Sequence, residues 1–181
     1  MKMYVTKLSD TEIQSMRDLA KKRDAKKALF GSGRHGKLTS SSEESHFRGL
    51  VGEFAVAKFF GTKLDTAIHE THGDEGFDVE VAGLRADIKV AAHPIAWKDP
   101  ILKVPCESRK DMDKLEKSEI FICCAFQAST SRLKICGYVY IDELKASPQK
   151  RMNLRGGGQG PLNYIVKKEN LRDIAELRHF L

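Results

Sequence analysis

Asp78, Asp87 and Lys89 are the side chains in this chain whose types and spacing could do chemistry. They lie in GDEGFDVEVAGLRADIKVAAH, Gly73 to His93. Val79 and Val81 alternate with Asp78 and Glu80, and Leu84, Ala86, Ile88 and Val90 alternate with Arg85, Asp87 and Lys89. Period-two alternation predicts half-buried strands whose polar residues share a face. Ala82-Gly83 predicts a two-residue turn between them. That turn sets Val81 opposite Leu84, Glu80 opposite Arg85, Val79 opposite Ala86 and Asp78 opposite Asp87, with opposed Cβ atoms roughly 4.5–5.5 Å apart. Glu80 and Arg85 then form an ordinary cross-strand ion pair. Two facing carboxylates repel each other and need a shared proton or a cation between them. A hard divalent ion with oxygen ligands, such as Mg²⁺, fits two carboxylates plus water. Lys89, two residues beyond Asp87 on the same face, could position an attacking water or offset charge on a phosphate. The competing reading is a solvated hairpin face with scattered charges, the commoner case for an arbitrary hairpin.

An amphipathic helix precedes the hairpin. In SSSEESHFRGLVGEFAVAKFFG, Ser40 or Ser41 with Glu43 or Glu44 predicts a capping box, and Gly61 the stop. Phe47, Leu50, Val51, Phe54 and Ala55 form the apolar stripe. Glu53 lies beside it, with Gly49, Leu50, Val56 and Ala57 as helical neighbours. A carboxylate in such a small apolar patch is expected to be partly desolvated and to need a partner. The alternative for Glu53 is a snorkelling surface side chain.

An acidic residue, a short hairpin and then Asp-x-Lys on the second strand resembles the PD-(D/E)xK nuclease superfamily, the restriction-endonuclease-like fold. Here the elements are Phe77-Asp78, without the family's usual proline, and Asp87-Ile88-Lys89, and the run Gly73 to Asp78 resembles the GD-x-G-x-D approach of some branches. The resemblance covers about Ser42 to the C-terminus. It implies an α/β fold, a mixed central sheet flanked by helices, with an added N-terminal helix. It further implies Mg²⁺-dependent cleavage of DNA, with Mn²⁺ substituting. Asp78 and Asp87 would hold the metal with the Ile88 carbonyl, Lys89 would orient the attacking water, and Glu53 would match the first-helix glutamate that orders the metal or its water. Small stand-alone nucleases of this kind resemble bacteriophage or mobile-element proteins. A second class stays open: a catalytically inactive DNA-binding module, or an interaction protein that inhibits a host system.

The chain has 181 residues, 41% apolar and 31% charged, enough for one domain with a substantial core. No apolar run approaches the roughly 20 residues of a membrane span. The N-terminus has no signal-peptide core, and Cys106, Cys123, Cys124 and Cys136 lack paired metal-ligand spacing. They read as reduced thiols, which predicts a cytoplasmic protein. The net charge of +6 is confined to residues 1–37, which carry ten Lys/Arg against four Asp/Glu. A local basic segment fits a polyanion such as DNA. Lys22, Arg23, Lys26 and Lys27 can share one helical face there; a merely solubilising face is the alternative. The expected partner is DNA; a homodimer is compatible with the sequence.

Ser9 with Glu12 predicts a capping box, opening a helix that continues to about Phe30. A flexible glycine- and serine-rich loop follows, so residues 1–38 read as a basic helix and linker, and 39–181 as the nuclease-like domain. Thr66 to Glu70 predicts a strand, Arg109 to Glu119 a solvated helix, Ile120 to Phe126 a buried strand, Leu133 to Ile141 its neighbour, and Asn163 to Val166 a short strand. Trp97 is expected to pack. The glycine-rich stretch RMNLRGGGQGPLNY is no P-loop, since no Gly-Lys-Ser/Thr follows. Its Arg151 and Arg155 could reach phosphates, or the stretch is a plain connection. Leu171, Ile174, Ala175 and Leu177 predict a terminal helix over Glu169–Leu181.

Overall fold

Apolar residues along β-forming stretches of this chain are buried on two opposite faces of one sheet, and each face has its own cover. The computed structural model of the chain describes residues 2–29, 42–64, 76–153 and 158–180. In chain order the elements are β1 (Tyr4–Lys7), α1 (Asp10–Leu29), α2 (Ser42–Phe60), β2 (Val79–Val81), β3 (Leu84–Ala91), α3 (Pro94–Lys98), β4 (Ile101–Pro105), α4 (Arg109–Glu116), β5 (Ile120–Gln127), β6 (Arg132–Tyr140), α5 (Ile141–Lys145), β7 (Gln149–Asn153) and β8 (Gln159–Lys167). The strands form a mixed five-stranded sheet, β1-β6-β5-β3-β2, and a three-stranded sheet, β4-β8-β7. This is the mixed α/β architecture expected from the sequence. The strand expected at Thr66–Glu70 lies outside the described residues, as do Ser40, Ser41 and the glycine- and serine-rich stretch expected to be a loop. No helix among the described residues is long and apolar enough to cross a membrane.

β5 organises the core. Its continuous run IFICCAF is apolar because both faces are covered. Ile120, Ile122, Cys124 and Phe126 meet Phe47, Leu50, Val51 and Ala55 of α2 and Met16 and Ala20 of α1. Phe121, Cys123 and Ala125 face the other way, toward Leu102 and Val104 of β4, Leu115 of α4 and Tyr164 and Val166 of β8. β3 runs parallel to β5 and shares this sorting, with Ala86 and Ile88 on the α2 side. Gly52 lets α2 approach closely: a Cβ there would lie 3.0 Å from the Ile88 side chain and closer still to Val90.

The N-terminal segment is built into this core. The Ser9–Glu12 capping box forms as expected, with Ser9 N–H donating to Glu12 Oε2 at 2.7 Å and Glu12 N–H to Ser9 Oγ at 3.2 Å. Ahead of it, β1 adds an edge strand to β6, pairing Tyr4 with Ile135. Lys2 N–H also reaches Asp173 near the other end of the chain, at 2.7 Å.

Two local expectations change, and one stretch without an expectation gains regular structure. The terminal helix is instead a 3₁₀ stretch, Ile174–Phe180. Arg172 is tied in a β-bridge to Tyr138, and Leu171, Ile174 and Leu177, all buried, recur every three residues, which is the 3₁₀ period and not the α period. β8 extends well beyond Asn163–Val166 because both of its edges pair. The proline-rich stretch after Lys89 forms α3 and β4, with Pro94 opening the helix after His93, whose Nδ1 accepts from Ile95 N–H at 3.2 Å.

Candidate active site

The hairpin forms in the register its alternation predicts: Val79 pairs with Ala86, Glu80 with Arg85 and Val81 with Leu84. Ala82 and Gly83 both take positive φ, 51° and 74°, the requirement of the tight turn whose twist matches the strands. Upstream, Gly76 has φ 98° and lies against Lys117, so the chain enters the hairpin along a path closed to residues with a Cβ. Glu80 and Arg85 are opposed, but Arg85 bonds Glu119 through its backbone N–H at 3.0 Å and its Nε at 3.2 Å. The expected Glu80–Arg85 pair is replaced because Glu119, just before β5, can satisfy two donors of Arg85 at once.

Asp78 continues the ladder in an unusual way. Its N–H donates to the Ala86 carbonyl at 2.9 Å, while its Oδ2 accepts the Ile88 N–H at 2.7 Å. This bond places the Asp78 carboxylate beside that of Asp87. Asp87 is only 1% exposed, and Lys89 Nζ contacts its Oδ2. A second lysine completes the cluster: Lys114 Nζ lies 3.1 Å from Asp87 Oδ1 and 3.7 Å from Asp78 Oδ1. Lys114 acts on Asp87 through charge, whereas the Lys89 ammonium is also close enough to donate a hydrogen bond to Oδ2.

The two carboxyls titrate in opposite directions. Burial, and then the neighbouring Asp87 charge, pushes Asp78 up to about 6. Burial also raises Asp87, but Lys89 and Lys114 together outweigh it and hold Asp87 below the ordinary carboxylate range. Asp87 therefore keeps the negative charge, and Asp78 is the first of the pair to take a proton.

Above Asp87 opens a cavity of about 100 Å³. Phe121 and Asp87 form its sheet wall, Val104 and Pro105 of β4 a second wall, and Lys110, Lys114 and Leu115 of α4 a third. Lys89 and Asp111 also line it. Asp111 is committed elsewhere: its Oδ2 accepts from Ser108 N–H at 3.0 Å and Ser108 Oγ–H at 2.6 Å, capping α4.

Other expected site residues are differently engaged. Glu53 Oε2 lies 3.6 Å from Arg23 Nη1, so two expected functional residues pair with each other between α1 and α2. Strand alternation explains the separation of Glu53 from Asp87 and Lys89: Ile88 packs toward α2, so its neighbours in sequence point to the opposite face of the sheet. Lys22 is exposed on α1; the side chains of Lys26 and Lys27 lie outside the described residues. Arg151 pairs with Glu107 at 2.5 Å and is part of strand β7, whereas Arg155 lies outside the described residues. Trp97 packs as expected, its ring 4.8 Å from Lys134 Nζ and its carbonyl accepting from that ammonium.

Lys110 and Lys114 escaped sequence reasoning because RKDMDKLE reads as a solvated helix. The available signal was Ser108 with Asp111, a capping box that fixes the helix frame, and the single buried Leu115 that fixes its inward side. Lys114 adjoins Leu115, and Lys110 lies one turn earlier.

Comparison of the chain with family models, curated proteins and solved structures finds no match. The resemblance to PD-(D/E)xK nucleases therefore rests on the hairpin residues themselves.

Proposed function

We propose that the protein is a divalent-metal-dependent nuclease that hydrolyses phosphodiester bonds in DNA at the Asp78–Asp87–Lys89 site. The observation that carries this reading is the opposition of a buried and a partly buried carboxylate across a tight hairpin, with the Lys89 ammonium on the buried one and a lysine-edged cavity above. Among the described residues no group of three or more His, Cys, Asp or Glu side chains is placed to hold a metal. Two carboxylates still suit Mg²⁺, which commonly uses one or two and keeps several waters. The donor chemistry fits: Asp87 presents two buried oxygens that already meet cationic lysine side chains, and burial beside Asp87 pushes Asp78 toward protonation, a cost that a cation between the two relieves. Asp78, Asp87 and the Ile88 carbonyl would hold the ion. When bound, it would lower the pKa of a water and screen phosphate charge.

The chain's own residues supply the rest. Asp87 fixes the Lys89 ammonium at the cavity wall, where its protons can orient an attacking water and stabilise negative charge building on phosphoryl oxygens. The water oxygen bonds to phosphorus as the bond to the leaving oxygen breaks, and the leaving oxygen takes up a proton. Lys110 and Lys114 offer further positive charge to the phosphate at the mouth.

One observation favours the second reading, a binding module without turnover: two lysines already neutralise the two carboxylates. The deciding experiment incubates the protein with linear, circular, single-stranded and branched DNA in Mg²⁺, Mn²⁺ or chelator. Metal-dependent products that vanish in D87N and K89A support hydrolysis. DNA binding without products in any metal supports the module.

A further inference from the structure

Lys114 occupies a position that none of the site's expected residues explains. Among the described residues, its ammonium is the one within 4 Å of both carboxylates, 3.1 Å from Asp87 Oδ1 and 3.7 Å from Asp78 Oδ1. Lys89, by contrast, contacts Asp87 through Oδ2. Lys114 therefore bridges the two like charges that the hairpin forces together, which is the task a divalent ion would perform.

Its hold is also of a replaceable kind. Lys114 acts on Asp87 by charge and not by a hydrogen bond, so a doubly charged ion competes well for the contact. Lys114 is 41% exposed, whereas Asp87 is 1% exposed, so the ammonium has a route to water that the carboxylate lacks. It extends from α4, whose preceding turn carries Lys110 at the cavity wall.

We propose that Lys114 is a built-in counter-cation exchanged for the divalent metal: the ammonium holds the metal-free pair together, and metal entry releases it to solvent. The proposal deepens the nuclease reading and rests on it, because it presumes that Asp78 and Asp87 bind metal. Lys114 is then a positioning residue. It offsets the repulsion between the two carboxylates until the metal arrives, and it sets how much free metal the site requires. Exchange replaces one positive charge by two between the same two carboxylates, so the dication alone neutralises the pair.

The test uses the whole chain without nucleic acid, and Mn²⁺ as the probe. Calorimetric titration should show K114Q binding Mn²⁺ about tenfold more tightly than the parent, a figure that already discounts a partly solvated competitor. K114R, which keeps the charge, should stay within about twofold of the parent. A second measurement needs no variant: amine-reactive labelling of Lys114 in the parent, read by peptide mass spectrometry, should rise several-fold when Mn²⁺ is added. Equal Mn²⁺ affinity in the parent and K114Q, or Lys114 labelling unchanged by bound Mn²⁺, overturns the exchange while leaving metal binding intact. Failure of the parent and of both variants to bind Mn²⁺ at millimolar concentration overturns the nuclease reading and the exchange with it.

Discussion

Replacing Asp78 by Asn should stabilise the metal-free protein at neutral pH, against the usual effect of altering a partly buried, hydrogen-bonded polar residue. Asn keeps an oxygen to accept the Ile88 N–H, the bond that now runs at 2.7 Å to Asp78 Oδ2. It removes the like charge beside Asp87. Asp78 is pushed from 3.8 to about 6, so its ionised form is disfavoured by folding. At 1.36 kcal/mol per pKa unit this costs about 3 kcal/mol once the group is ionised in both states. Allowing for relaxation, D78N should gain about 2 kcal/mol at pH 7.5, or roughly 4–8 °C in Tm for a chain of this size. The sign is specific. Between about pH 4 and pH 6 the folded protein binds the Asp78 proton and the unfolded chain does not, so this group's contribution to stability falls as pH rises through that window. The Tm difference between D78N and the parent should therefore be near zero at pH 4 and reach its full size by pH 7. Melts followed by circular dichroism in chelator, at pH steps from 4 to 7.5, measure this directly. A D78N protein less stable than the parent at pH 7.5, or a Tm difference that ignores pH, would refute the account of the pair as two crowded carboxylates.

Divalent metal should reverse that ranking: millimolar Mg²⁺ or Mn²⁺ should raise the parent's Tm and leave D78N nearly unmoved, as scanning calorimetry would show. D87N and K89A should each lose at least about a hundredfold in DNA cleavage while keeping a native circular dichroism spectrum, since both groups line the cavity. E53Q should behave as a stability variant, losing up to about 1 kcal/mol with the Arg23 pair and leaving the cleavage rate within about twofold, read by denaturant melts and a gel assay. Neutralising Lys22, Lys26 and Lys27 together should weaken DNA binding, and the slope of log K against log salt should flatten by about 0.9 for every phosphate these lysines no longer neutralise. An unchanged slope in fluorescence-anisotropy titrations would assign that face of α1 to another role.

The hairpin was legible to the residue because its information is local: a two-residue turn and strict alternation leave one register, and that register brings Asp78 to Asp87. β5 and β6 were legible for the same reason, as apolar runs between clear breaks. What the alternation could not reveal was which face of the sheet each helix covers. Glu53 and Asp87 both read as buried acids, yet Glu53 meets Arg23 on α1 and Asp87 points toward α4. Lys114 was hidden because its importance depends on a strand some 27 residues earlier in the chain. β4 and β7 were missed because prolines and charged residues weaken the strand signal, and their pairing comes from β8, distant in sequence.

The edge strand β1 constrains the order in which the chain can assemble. Tyr4 pairs with Ile135, so the first strand has no partner until roughly 130 further residues exist, a delay on the order of 10 s during synthesis. α1 shares the delay in part, because Met16 and Ala20 bury against a core that includes Leu133, Ile135 and Tyr138. Closing so long a loop is entropically costly and is rewarded only at the end. The earliest residues of the chain are therefore among the last to dock, and the β6 edge they cover stays open to intermolecular strand pairing until they do.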